Sequence, residues 1–152
     1  MAAEADALTA LAHRSKASWG YPPELMARWD EALSLTPEFI QAHDVFVARA
    51  VARAEGAPLG VYALCGAGEE LELEHFWVDP RAQRTGVGRS LFAHAAAQAR
   101  ARGADAIRIA SDPHAEAFYL RLGAVRVGDE ETLVPGRRLP VLRFALDQPA
   151  RA

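Results

Sequence analysis

Val78-Asp79-Pro80-Arg81-Ala82-Gln83-Arg84-Thr85-Gly86-Val87-Gly88-Arg89-Ser90-Leu91 decides how this chain is read. The segment that leads into it, Glu70 to Val78, begins with charged and apolar residues in strict alternation, the period of a strand with one buried face. Asp79-Pro80 ends the strand. Two glycines then open a stretch, about Gly86 to Arg102, in which Val87, Leu91 and Ala95 form one apolar edge and Phe92, Ala96 and Ala99 the next, the spacing of an amphipathic helix. Arg100 and Arg102 in the last turn complement the helix dipole, and Gly103 stops it.

A helix that starts on glycines after a strand is suited to binding phosphate. Its first N–H groups have no intrahelical partner and carry partial positive charge, so they hold an anion without side chains. Gly86 and Gly88 let the backbone approach closely, and Arg81, Arg84 and Arg89 add cationic density. A nucleotide P-loop fits worse, because Arg89-Ser90 stands where Lys-Ser/Thr is required and the earlier glycine is missing. The dinucleotide fingerprint fails too, with Leu91 at its third glycine.

Outward from this segment, the order is helices, then a strand meander, then strand–helix–strand–helix–strands. Helices are expected over about Glu4 to Ala17 and Pro22 to Leu33, with a short turn at Thr36-Pro37-Glu38-Phe39. Strands are expected at Val45 to Val51, Leu59 to Cys65, Glu70 to Val78, Ala106 to Ala110, Ala124 to Val127 and Leu139 to Leu146, with a helix at His114 to Leu122. This is an α/β (α+β) mixed sheet flanked by helices, in a single domain over residues 1–152.

Composition excludes several classes of function. Seventeen Lys and Arg against twenty Asp and Glu give a net charge of -3, against a nucleic-acid binder. No apolar run reaches the roughly 20 residues of a membrane span, and residues 1–11 do not read as a signal peptide, so a cytoplasmic protein off the membrane is expected. Cys65 is the single cysteine, and no two of the five histidines have a metal-binding spacing, so no metal is expected. No base is placed to activate Cys65, which reads as a small buried residue.

Gln83-x-x-Gly86-x-Gly88 after a strand resembles the acetyl-CoA signature of the GCN5-related N-acetyltransferase (GNAT) superfamily. Asp112-Pro113-His114-Ala115-Glu116-Ala117-Phe118-Tyr119-Leu120-Arg121-Leu122-Gly123-Ala124 resembles that family's second motif, an Ala-x-x-Phe-Tyr-x-x-Leu-Gly helix, in the same order and at its spacing, and the resemblance covers about Phe46 to Ala124. Two departures stand out: His114 where members often carry Asn, and Ala124-Val125 in place of an aromatic.

The resemblance implies the GNAT fold, mostly antiparallel with a splayed central strand pair, and an acyltransferase with acetyl-CoA as donor. An amine would attack the thioester directly in a ternary complex. It implies that Gln83, Arg84, Thr85, Gly86, Val87, Gly88, Arg89 and Ser90 hold the pyrophosphate. Phe76, Trp77 and Val78, beside a bulge, would hold the pantetheine arm, with His114 and Tyr119 also contacting the cofactor. Tyr119 would protonate the leaving thiolate. Glu72 or Glu74 on the alternating strand would serve as base, unless both are solvated residues, and His75 is a further relay unless it packs in the sheet. An acceptor groove built by the N-terminal helices and final hairpin would place Trp19, Tyr21 and Trp29 as apolar walls and Arg137 or Arg138 as a carboxylate anchor. The acceptor expected is a small-molecule amine, the assembly is open with a homodimer among its forms, and the alternative is a non-catalytic acyl-CoA binding or sensing module.

Overall fold

A computed structural model describes residues 2–50, 56–132 and 134–146. The chain divides into two compact units, Met1–Ala63 with His75–Phe92, and Leu64–Glu74 with Ala93–Ala152. Six strands form one mixed hydrogen-bonded sheet, in the spatial order first, second, third, fourth, sixth and fifth along the chain.

The first unit opens with helix α1, Ala5–Ala17, which buries Leu8, Leu11 and Ala12. The helix expected over Pro22 to Leu33 is instead two short ones, α2 (Pro23–Arg28) and α3 (Asp30–Leu33), which meet at Trp29 with φ -100 and ψ 2. Thr36 caps α4, Pro37–Ala42, by accepting the Phe39 N–H at 3.1 Å, so the expected turn extends into a helix. Strand β1 is Asp44–Ala48; Val51, at the end of the expected strand, lies outside the described residues.

Strand β2, Gly60–Cys65, is buried at every position, and β3 runs from Glu70 to Val78 as expected. Gly60 is needed for close approach. A Cβ there would meet Leu91 Cδ2 at 3.1 Å and the Trp77 carbonyl oxygen at 3.2 Å. Helix α5, Val87–Ala101, starts against this bare stretch of strand and buries Leu91, Phe92, Ala95, Ala96 and Ala99, the two expected stripes.

In the second unit β3 pairs in parallel with β4 (Ala106–Ala110) from Glu70↔Ala106 to Glu72↔Arg108. Antiparallel β6 (Arg138–Ala145) adds to β4, and β5 (Val125–Glu131) adds to β6. β5 is longer than expected, and its register shifts between Arg126 and Gly128. Its side chains are mostly exposed, which deprives it of the apolar alternation that marks a strand in sequence. Helix α6 (Glu116–Arg121) is shorter than its motif, because Asp112 to Ala115 form a turn before it. No helix among the described residues is long and apolar enough to cross a membrane.

Candidate functional site

The residues expected to carry chemistry divide between the units. Phe76, Trp77, Val78 and Gln83 through Ser90 lie in the first; Glu72, Glu74, His114 and Tyr119 lie in the second.

In the first unit the chain leaves β3 through Asp79, whose side chain accepts the Arg81 N–H at 2.9 Å and caps the 3-10 turn Pro80–Ala82. Asp79 is 1% exposed, and Arg14 of α1 reaches it at 2.9 Å. Arg81 also donates from Nε at 3.1 Å and Nη2 at 3.2 Å. These side-chain bonds from Arg81 foremost, with its N–H and Arg14, hold the Asp79 carboxyl well below the usual range. Arg81 was expected to line the anion site; it folds back on Asp79 instead, because a buried carboxylate two residues away is the nearer charge.

After the turn, Gln83 Nε2 donates to the Val78 carbonyl at 3.4 Å, and the Thr85 hydroxyl donates to the Ala82 carbonyl. Arg84 and Gly86 adopt positive φ of 64 and 91. Helical bonding then begins with Ser90 N–H to the Gly86 carbonyl at 3.0 Å. The amides at the start of α5 therefore lack an intrahelical acceptor, and the left-handed residues before them are of the kind from which anion-binding backbone nests are built. A Cβ on Gly86 would meet nothing within 4 Å, so this face is open. Gln83, Arg84, Thr85, Gly86, Arg89 and Ser90 are exposed, Val87 and Gly88 half-buried. Arg84 and Arg89 meet no carboxylate among the described residues. The donor set suits a polyanion.

On β3, exposure alternates from Glu70 to His75 and gives way to three half-buried residues, Phe76, Trp77 and Val78. His75 is buried, accepts the Trp77 Nε1–H on Nδ1 at 2.9 Å and packs edge-on against Phe39 with ring centroids 5.2 Å apart. Burial, with a smaller push from His43, lowers its pKa to about 4. It packs in the sheet and is neutral at pH 7. Between pH 6.5 and 4 the unfolded chain holds a proton on this residue that the folded chain lacks, so stability is full above that window and drains as pH falls through it. Unfolding in urea should show a loss of about 3 kcal/mol across it, and His75→Gln should flatten the slope; an unaltered slope in that variant refutes the assignment. Asp79 has the same sign, its contribution lost at still lower pH.

The aromatic residues expected as acceptor walls are gathered around a lysine that the sequence reading passed over. Lys16 of α1 is buried, with its ammonium 4.0 Å from the Trp29 ring centroid, 5.5 Å from Tyr21 and 5.9 Å from Trp77. Trp19 lies 6.4 Å from Trp77 and Tyr21 4.9 Å from Trp29. Cation–π attraction offsets part of the ammonium's desolvation.

In the second unit, Glu70, Glu72 and Glu74 share the exposed face of β3. Arg108 of β4 bonds Glu130 at 2.6 Å and Glu72 at 3.5 Å, and the Glu130 bond foremost raises its pKa. Tyr119 of α6 is 4% exposed; burial first, then the charge of Asp112, pushes its phenol above the usual range. Asp112 accepts the His114 N–H at 2.8 Å, His114 Nδ1 at 3.0 Å and Arg137 Nη2 at 3.2 Å. Arg138 pairs with Asp129 and Glu131. Both arginines expected to await a carboxylate ligand already hold carboxylates of this chain. Asp112 was missed, although Asp-Pro ahead of a helix is a turn-capping signal. Cys65 is buried.

A family model described as the acetyltransferase (GNAT) family matches residues 7–124. The chain belongs to that family. Solved structures repeat the fold. One is a GCN5-related N-acetyltransferase from Rhodopseudomonas palustris, 19% identical over 96% of this chain and 92% of that one, with a TM-score of 0.77. Another is the paia N-acetyltransferase from Thermoplasma acidophilum in complex with coenzyme A, 16% identical over 94% and 93%, with a TM-score of 0.75. A third is the ribosomal-protein-S18-alanine N-acetyltransferase from Escherichia coli, 17% identical over 98% and 92%, with a TM-score of 0.68. No curated protein matches the sequence.

Proposed function

We propose that this protein is an N-acetyltransferase that moves the acetyl group of acetyl-CoA onto a primary amine of a small molecule, by direct attack in a ternary complex. The observation that carries the reading is the open N-terminus of α5, entered through Arg84 and Gly86 at positive φ and flanked by the exposed guanidinium groups of Arg84 and Arg89. The nest would bind the pyrophosphate through the amides of Gln83 to Ser90. Main-chain groups of Phe76, Trp77 and Val78 would align the pantetheine arm, with an N–H there polarising the thioester carbonyl. The thioester supplies the activated acetyl group.

Tyr119, a buried phenol on α6 that like any tyrosine is protonated at neutral pH, would donate its proton to sulfur. An acceptor amine of lysine type, with a pKa of about 10, must shed a proton before it attacks. Glu72 shares Arg108 with Glu130, which leaves Glu72, Glu74 and a water relay as the bases to be separated. The net charge of -3 speaks against nucleic acid as a partner, and the assembly stays open, with a homodimer among its forms.

Calorimetric titration with coenzyme A, followed by acetyl-, propionyl- and succinyl-CoA against an amine panel read as free thiol, tests this. Binding together with amine-dependent thiol release is expected. Binding with no release on any amine favours the acyl-CoA sensing module; absence of binding overturns both. Arg84→Ala with Arg89→Ala should weaken coenzyme A about tenfold at low salt and much less at high salt, since the charges are exposed; equal loss at both salts contradicts a steering role.

A further inference from the structure

The acyl-transfer reading leaves one buried cation unused. Lys16 extends from α1 into a box of aromatic rings and is 8% exposed. Its ammonium lies over three ring faces, 4.0 Å from the centroid of Trp29, 5.5 Å from Tyr21 and 5.9 Å from Trp77. All three distances fall within the roughly 6 Å at which a ring face attracts a cation. Each ring arrives there by its own device. Gly20, at φ 83, follows α1 and returns Tyr21 toward that helix. Trp29 stands at the break between α2 and α3 and meets Tyr21 edge-on, with centroids 4.9 Å apart. Trp77 of β3 is tied by its Nε1–H to His75 Nδ1 at 2.9 Å. All of these residues belong to the first unit.

An apolar side chain of similar length would fill this box without giving up the hydration of a charge. Packing alone therefore does not account for a lysine here, whereas the ring faces suit a cation. Tyr21, Trp29 and Trp77 are each half-buried, so the walls of the box also reach solvent.

We propose that Tyr21, Trp29 and Trp77 form a recognition site for an alkylammonium end of the acceptor, and that Lys16 is its built-in occupant, displaced when the acceptor arrives. The role given to the ligand rests on the acetyl-transfer reading, since Trp77 belongs to the stretch that reading assigns to the pantetheine arm. The exchange replaces one ammonium by another, so the attraction to the rings is kept. On leaving, Lys16 regains hydration and the rotamer freedom of a four-carbon stem. Held by a short tether, it competes at an effective concentration on the order of millimolar. A neutral molecule gains little from the ring faces and does not displace it. The rings hold a protonated nitrogen, and a protonated nitrogen does not attack a thioester. The nitrogen that is acetylated is then another one, and the acceptor class narrows to amines that carry a second, cationic nitrogen.

The test uses the full chain, first without coenzyme A, with n-butylammonium as the probe and n-butanol as its neutral counterpart. In the wild type, NMR should show the Lys16 Hε protons shielded by the rings and moving toward the position of an exposed lysine as n-butylammonium is added. The indole N–H signals of Trp29 and Trp77 should shift with them. Lys16→Ala, read on the same indole signals, should bind n-butylammonium about tenfold more tightly than the wild type, because the tethered competitor is gone; Trp29→Leu in that background should abolish the response of Trp77. A lysine that only packs gives no such gain. Unshielded Lys16 Hε protons overturn the site, as do equal affinities in wild type and Lys16→Ala or equal shifts with n-butanol. With acetyl-CoA present, amines bearing a second ammonium should show a KM lowered about tenfold in Lys16→Ala; an unchanged KM overturns the acceptor role. Thiol release with amines but no binding of n-butylammonium overturns this site alone. Binding of n-butylammonium with no thiol release on any amine overturns the acetyl-transfer reading and the role drawn from it, and leaves only an ammonium site.

Discussion

Tyr119→Phe is expected to lower kcat about 10²- to 10³-fold while coenzyme A binds within about twofold of the wild-type affinity. The ring of Tyr119 is 4% exposed on a short helix, so phenylalanine keeps the packing and removes only the hydroxyl. What is lost is the proton delivered to sulfur. Water is a poor substitute at a site closed to solvent, which is why the effect falls on kcat. Burial and Asp112 keep the phenol protonated across the accessible alkaline range, so no loss of rate from its ionisation should appear there. Steady-state kinetics beside a calorimetric titration checks this. Turnover within threefold of wild type removes Tyr119 from the mechanism. A matched loss of binding and kcat makes it a packing residue.

Gly86→Val is expected to weaken coenzyme A on the order of 10²-fold with little change in melting temperature. Gly86 has φ of 91, where a β-branched residue is strained by roughly 1–2 kcal/mol. Space is not the obstacle, since an added Cβ would meet nothing within 4 Å. The strain is relieved only by turning the peptide, and that redirects the N–H groups that open α5. Losing even one or two hydrogen bonds to a charged ligand at about 1.5–3 kcal/mol each accounts for the expected effect. The loop is exposed, so the fold should tolerate the change. Affinity within threefold of wild type would show that the nest is not the anion site.

Much of this was legible in the residues. β3 and β4 have their expected bounds because Glu70-Leu71-Glu72-Leu73-Glu74 alternates and Ala106 to Ala110 is a short apolar run between turn signals. α5 was legible because its two stripes, its opening glycines and Gly103 agree. The α2–α3 break was not. Pro22 to Leu33 has no glycine or internal proline to mark it, and the chain bends where Trp29 packs on Tyr21 and Lys16. β5 was read short because its pairing with β6, not a buried face, holds it as a strand.

By itself the sequence determined the segments whose information is local. Those are the alternating strand, the glycine-led helix that follows it, and the order of motifs that places the chain in its family. Periodicity and backbone freedom are properties of neighbouring residues. The tertiary structure alone decided which distant charges meet: Arg14 on Asp79, 65 residues apart, Arg137 on Asp112, 25 apart, and Lys16 over the ring of Trp77. An ion pair's partner is chosen by distance and burial, and residues far apart in sequence acquire those only once the chain has folded.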